Sequence, residues 1–147
     1  MAKSATTDTP TGIKLTGIEL LSSSLSRPEL VAKDQTAFLF GITLMHDITR
    51  EKKLIFVIAN VDIQSIEEKK NIGSISVSLI FEIENFEEVV TIVDEQNFKL
   101  TEALKDVLNA ISISTTRGVM FSTFKGTYLH NALLPIVDPR QLVKEKE

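Results

Sequence analysis

Apolar and polar residues alternate along most of the first half of the chain, with the period of two that marks half-buried strands. The plainest case runs from Ser74 to Glu84. Ile75, Val77, Leu79, Phe81 and Ile83 line one face, and Ser74, Ser76, Ser78, Glu82 and Glu84 line the other. From Thr36 to Ile48 the same pattern places Phe38, Phe40, Ile42 and Leu44 together, opposite Gly41 and Thr43. Between Leu54 and Gln64 a continuous apolar run, Leu54–Ala59, passes into alternation, which predicts a strand partly covered on both faces. From Ile13 to Leu25 the phase changes: Ile13 and Leu15 share one side, whereas Ile18 and Leu20 take the other. The change falls beside Gly17 and predicts a bulge or bend there. Short turns joining four strands imply an antiparallel sheet with one apolar face, a meander being the simplest order.

After Asn85 the period changes. Phe86–Val93 is β-branched and reads as a further short strand or an ordered crossover. From Thr101, an N-cap with Glu102 behind it, Leu104, Val107, Leu108 and Ile111 fall on one helical face. Ser112–Thr116 has poor helix propensity, and Gly118 costs about 1 kcal/mol relative to alanine. The preferred reading is nonetheless one helix to Lys125, stopped by Gly126 and ~37 Å long. Its small residues Ser112, Ser114, Thr115 and Gly118 suit close packing against another helix. An apolar connector follows, and then a short, highly charged helix from Asp138 to Glu147. Connectors are ordinarily polar, so one carrying Tyr128, Leu129, Leu133 and Leu134 must be covered by something.

Composition narrows the function. A net charge of −4 lacks the basic stripe that nucleic acid requires, so no nucleic-acid partner is expected. No segment has the apolar length of a membrane span, and the start has no apolar signal core; a cytoplasmic location is expected. The absence of cysteine excludes disulfides and thiol catalysis. His46 and His130 are too few for most histidine-dominated metal sites, and neither metal nor cofactor is expected. His46 reads as a satisfied rim residue and His130 as a surface one. Residues 1–12 read as a disordered tail and 13–147 as one domain.

The run Lys125-Gly-Thr-Tyr-Leu-His-Asn-Ala-Leu-Leu-Pro-Ile-Val-Asp-Pro139 resembles the SecB protein-export chaperone family. Lys125, Gly126, Thr127 and Tyr128 match that family's basic residue, Gly-Thr and aromatic at the end of a long helix. Leu133, Pro135 and Ile136 match its Leu-x-Pro-(Ile/Val). The order of elements extends the likeness from about Ile13 to Leu142, and the details suit a divergent SecB-like branch. The resemblance implies an α+β fold, a four-stranded antiparallel sheet followed by a long helix and a short C-terminal helix. It implies a homotetrameric holdase, a dimer of dimers, binding unfolded polypeptides in apolar grooves. Client-binding candidates are then Met45, Phe86, Val89, Val90, Tyr128, Leu129, Leu133 and Leu134. Oligomer-interface candidates are Ser112, Ser114, Thr115 and Gly118. Where export chaperones carry two acids that engage the SecA motor, this chain has Ser22-Ser-Ser-Leu-Ser-Arg27, which puts SecA as a partner in doubt. SecB-like proteins also accompany toxin–antitoxin pairs, with an antitoxin as client.

Plainer readings stand beside these. The strand faces are core first, and connector residues often plug the gap between a helix and a sheet. A small thioesterase-like hydrolase using Glu102 or Asp106 is the rival from another class. Helix polarity alone explains both carboxylates, and no nucleophile–base pair or phosphate loop accompanies them; the chain reads as a non-enzyme.

Overall fold

The computed structural model describes residues 12–26, 37–66 and 69–141. Four strands, β1 (Ile13–Leu25), β2 (Phe38–Thr49), β3 (Leu54–Ser65) and β4 (Lys70–Ile83), form one antiparallel sheet in the order β1-β4-β3-β2. The meander expectation is therefore corrected: β2, β3 and β4 follow one another, but β1 pairs with β4 in a Greek-key arrangement. Chain length explains it. Only residues 50–53 separate β2 from β3 and only residues 66–69 separate β3 from β4, too few to reach anything but a neighbouring strand. Residues 26–37 are numerous enough to cross three strand spacings of ~4.8 Å to the far edge.

The register of β1 shifts between Leu15 and Gly17 and again between Leu20 and Ser22. The first shift is the bulge that the phase change predicts, and it has a consequence for burial. Leu15 lies opposite Phe81, Ile18 opposite Leu79 and Leu20 opposite Val77, so all three apolar residues share the inner face. Inside the bulge, Thr16 donates its hydroxyl to the Ile80 carbonyl at 3.2 Å. The outer row of β3 is half-buried rather than covered: Phe56 lies between Asp47 and Ile80, and Ile58 between Met45 and Ser78.

Beyond β4 the chain makes one helical turn, α1 (Phe86–Val89), then a hairpin of β5 (Val90–Ile92) and β6 (Phe98–Leu100). The strand reading of Phe86–Val93 thus holds only for its last part. The long helix, α2, runs Glu102–Thr123. Thr101 caps it, its hydroxyl oxygen accepting the Leu104 N–H at 3.2 Å. The weak helix formers at 112–116 stay helical because Ile113, Ser112 and Thr116 are buried against the sheet, and packing outweighs propensity. The helix ends just short of Lys125. The N–H and hydroxyl of Thr127 both donate to the Phe124 carbonyl, and Gly126 turns the chain at φ +82°.

Of the predicted helix Asp138–Glu147, the described part is a single 3-10 turn, Pro139–Gln141, with Asp138 accepting from the Arg140 backbone and side chain. Residues 142–147, like residues 1–11 of the predicted tail 1–12, lie outside the described residues.

Candidate functional site

The inner face of the sheet is wider than the helix that covers it. α2 packs on β3 and β4, the two central strands. Their inner rows, Ile55, Val57, Val61 and Ile63 with Ile75, Val77, Leu79 and Phe81, are buried. The edge strands fare differently. On β2, Phe38, Phe40, Ile42 and Leu44 pack against the core but remain half-buried. On β1, Leu15, Ile18, Leu20 and Leu25 are exposed, Ile18 and Leu20 by 48% each. A fully buried side chain of this size gains ~1.5–3 kcal/mol, so four half-covered ones leave roughly 3–6 kcal/mol to whatever covers the row.

The β2 flank is tied to the helix by a polar contact. His46, next on the inner row after Leu44, donates from Nε2 to Asn109 Oδ1 at 2.7 Å, and Asn109 is buried. Burial pushes the His46 pKa below its usual 6.5; the Asn109 bond opposes the shift and the nearby Lys105 charge adds to it. Asn109, Ile113 and Arg117 are spaced by four and form one ridge of α2. Arg117 holds the connector, donating from Nε to the Leu134 carbonyl at 2.7 Å and from Nη2 to the Pro135 carbonyl at 2.8 Å. One ridge thus binds both β2 and the connector.

The connector's apolar character is now explained in large part by the chain's own core. Residues 124–133 fold into successive tight turns, and Leu129, Ala132 and Leu134 point inward and are buried. Gly73 makes room for the plug: a Cβ there would stand 2.5 Å from Leu129 Cδ1. Tyr128 donates its hydroxyl to the Ile72 carbonyl at 3.0 Å. Among the connector's large aliphatic side chains, Leu133 and Ile136 remain outward, at 56% and 93% exposure.

The eight residues nominated from sequence for client contact therefore separate. Phe86, Val89, Val90, Leu129 and Leu134 are buried in the chain's own core. Met45 is exposed, but on the opposite face of the sheet from the helix. Tyr128 and Leu133 are exposed. The inner row of β2 and Ile136 were not singled out. Alternation marked Phe38–Leu44 as core, and only the strand order shows that this row lies at an edge.

Among the interface candidates, Ser112 lies fully buried against the sheet, and its Oγ, like Thr116 Oγ1, has no hydrogen-bond partner among the described residues. Ser114 and Gly118 are exposed and Thr115 is half-buried. Val107, Ala110, Ser114, Gly118 and Phe121 form an uncharged outer stripe, where a solvent-facing helix ordinarily carries charge. Nothing lies within 4 Å of a Cβ built at Gly118, so its own fold does not require glycine there.

The rival reading puts a base at Glu102 or Asp106, both in the first turns of α2. Glu102 is exposed and pairs with Lys105 at 3.5 Å, one turn along the same helix. Among the described residues no group of three His, Asp or Glu side chains is placed to hold a metal ion, and no helix is long and apolar enough to cross a membrane. His46 is satisfied by Asn109, and His130 lies exposed with its ring 5.5 Å from that of Phe121.

No protein-family model and no curated protein sequence matches the chain. Among solved structures it is similar to the Mycobacterium tuberculosis SecB-like chaperone Rv1957, determined in complex with a ChAD peptide from the antitoxin HigA1 (Rv1956). The TM-score is 0.58 at 11% identity, covering 85% of this chain and 89% of that one. The architecture is thus an α+β layer of one antiparallel sheet and one long helix. More particularly, it is the SecB-like fold.

Proposed function

We propose that this protein is a holdase of SecB-like type, binding unfolded or non-native polypeptides on the apolar flank between β2 and the connector. One observation carries this: the sheet's inner apolar face extends past its covering helix, leaving Phe38, Phe40, Ile42 and Leu44 half-covered on the flank of α2 whose ridge also holds the connector. A chaperone of this kind must bind the unfolded state preferentially through apolar, shape-tolerant surface. Each client side chain adds only ~1.5–3 kcal/mol, so several such flanks on one oligomer are needed for tight binding.

Two further surfaces suit that oligomer. The β1 edge, with Leu15, Ile18 and Leu20 beside it, and the uncharged outer stripe of α2 provide the two separate contacts that a dimer of dimers requires. Val107, Ser114, Gly118 and Phe121 are the residues of the helical contact in this reading, in a cytoplasmic homotetramer. Binding of a labelled unfolded protein tests the reading. Phe40→Asp with Leu133→Asp is expected to abolish binding and leave the oligomer's mass unchanged, whereas retained binding overturns the assignment of the flank.

A narrower reading is favoured by the neighbour's antitoxin peptide and by the serines at Ser22–Ser24. In it, the client is an antitoxin rather than a range of preproteins, and SecA is not a partner. Affinity capture from native cells separates the two: one dominant antitoxin supports it, and a spectrum of exported precursors with SecA overturns it.

A further inference from the structure

Arg117 is the only charged residue of α2 after Asp106, and it is turned to an intrachain task. Its Nε and Nη2, the two donors of one guanidinium edge, reach successive carbonyls, Leu134 and Pro135, at 2.7 and 2.8 Å. Hydrogen bonds from an ionised donor are stronger than neutral ones, and two on a planar fork fix orientation as well as position. The carbonyls they fix belong to the peptide units between Leu134 and Ile136, so the clamp sets which way the flanking side chains project. Leu134 points inward at 1% exposure, while Leu133 and Ile136 point out at 56% and 93%. An isoleucine on an untethered connector gains free energy by rolling onto nearby apolar surface. The half-covered row of β2 is such a surface on the same flank of α2, since His46 of that row bonds Asn109 on the ridge that carries Arg117.

From this geometry we infer that Arg117 is a positioning residue for polypeptide binding: it holds the connector so that Leu133 and Ile136 stand as an apolar ledge beside the β2 flank. The inference rests on the holdase reading above and adds to it the residue that presents the ledge and a second contact, Ile136. Extended polypeptide bearing large apolar side chains is the ligand class. The clamp works by preorganisation, sparing the ordering cost that a mobile ledge pays on binding.

The test uses the full-length oligomer and fluorescein-labelled, reduced and carboxymethylated α-lactalbumin, a permanently unfolded probe, with Kd read by anisotropy. Arg117→Met keeps the aliphatic stem and removes the fork, and Arg117→Lys keeps the charge but not the paired donors. Both are expected to raise Kd about fivefold, and Ile136→Ser about tenfold. If Arg117 acts through the ledge, the variant Arg117→Met/Leu133→Ser/Ile136→Ser binds like Leu133→Ser/Ile136→Ser, rather than about fivefold weaker than it. A general structural role predicts additive losses instead, and additive losses overturn the inference, as does an unchanged Kd in Arg117→Met. Failure of the wild-type oligomer to bind the probe overturns the holdase reading itself, a result distinct from either of these.

Discussion

Leu129 and Gly73 form a lock whose strength can be worked out in advance. Leu129 is 1% exposed, and its Cδ1 occupies the space that a side chain at Gly73 would take; a Cβ there would also stand 3.3 Å from the Ser24 carbonyl oxygen. Leu129→Ala removes a buried isobutyl group and is expected to cost ~2–5 kcal/mol. Gly73→Ala drives a methyl group into the plug, and overpacking of this sort costs ~1–3 kcal/mol. The two changes answer each other, because the methyl at position 73 enters the volume vacated at position 129. The double variant should therefore be more stable than the sum of the single losses predicts, by at least ~1 kcal/mol. Urea denaturation at one fixed protein concentration measures this, since oligomer stability shifts with concentration. Purely additive losses, or a neutral Gly73→Ala, would refute the packing of the connector onto the start of β4.

Three other outcomes are expected. Thr101→Ala removes the cap on α2 and should lower stability by ~1 kcal/mol, read from the thermal midpoint of the helical circular dichroism signal. His46 has a lowered pKa when folded, so its contribution is complete above the unfolded value of 6.5 and is lost as pH falls through the folded value, because the unfolded chain takes up the proton first. Urea midpoints of wild type and His46→Gln across about pH 5 to 7.5 should therefore diverge at the alkaline end and converge at the acid end; a constant gap contradicts the buried-histidine account. Gly118→Leu touches nothing in its own chain and improves helix propensity, yet it should split the proposed tetramer into dimers by light scattering; a tetramer left intact by the change removes α2 from the interface.

Much of the fold was written in local pattern, and the exceptions have physical causes. Alternation located the strands, strictly in β2 and β4 and with a continuous run in β3 and a phase change in β1, because one face of the sheet is buried and the other is largely not. The bulge near Gly17 was legible as a phase change, but its effect was not: only pairing with β4 shows that it returns Ile18 and Leu20 to the inner face. Strand order escaped, since neither periodicity nor turn chemistry says where a long connection lands. Burial across the candidate site was hard to read for the same reason. Phe38–Leu44 looked like core because alternation reports a face and not a position within the sheet. Which connector residues plug the gap was not legible, because the burial of Leu129 and Leu134 depends on Gly73 and Arg117, both remote in sequence. The terminal motif Lys125–Pro139 was the reverse case, a short stretch whose likeness pointed to the SecB-like fold that the structure shows.

Site-specific photo-crosslinking tests the central claim most directly. A benzophenone side chain is placed at Leu133, on the proposed polypeptide-binding flank, and separately at Met45, equally open but on the opposite face of the sheet. With an unfolded, labelled probe bound to the full-length oligomer, crosslinks should form at position 133 and be absent at position 45. Equal yields at the two positions, or crosslinks at Met45 alone, would contradict polypeptide binding on the flank between β2 and the connector.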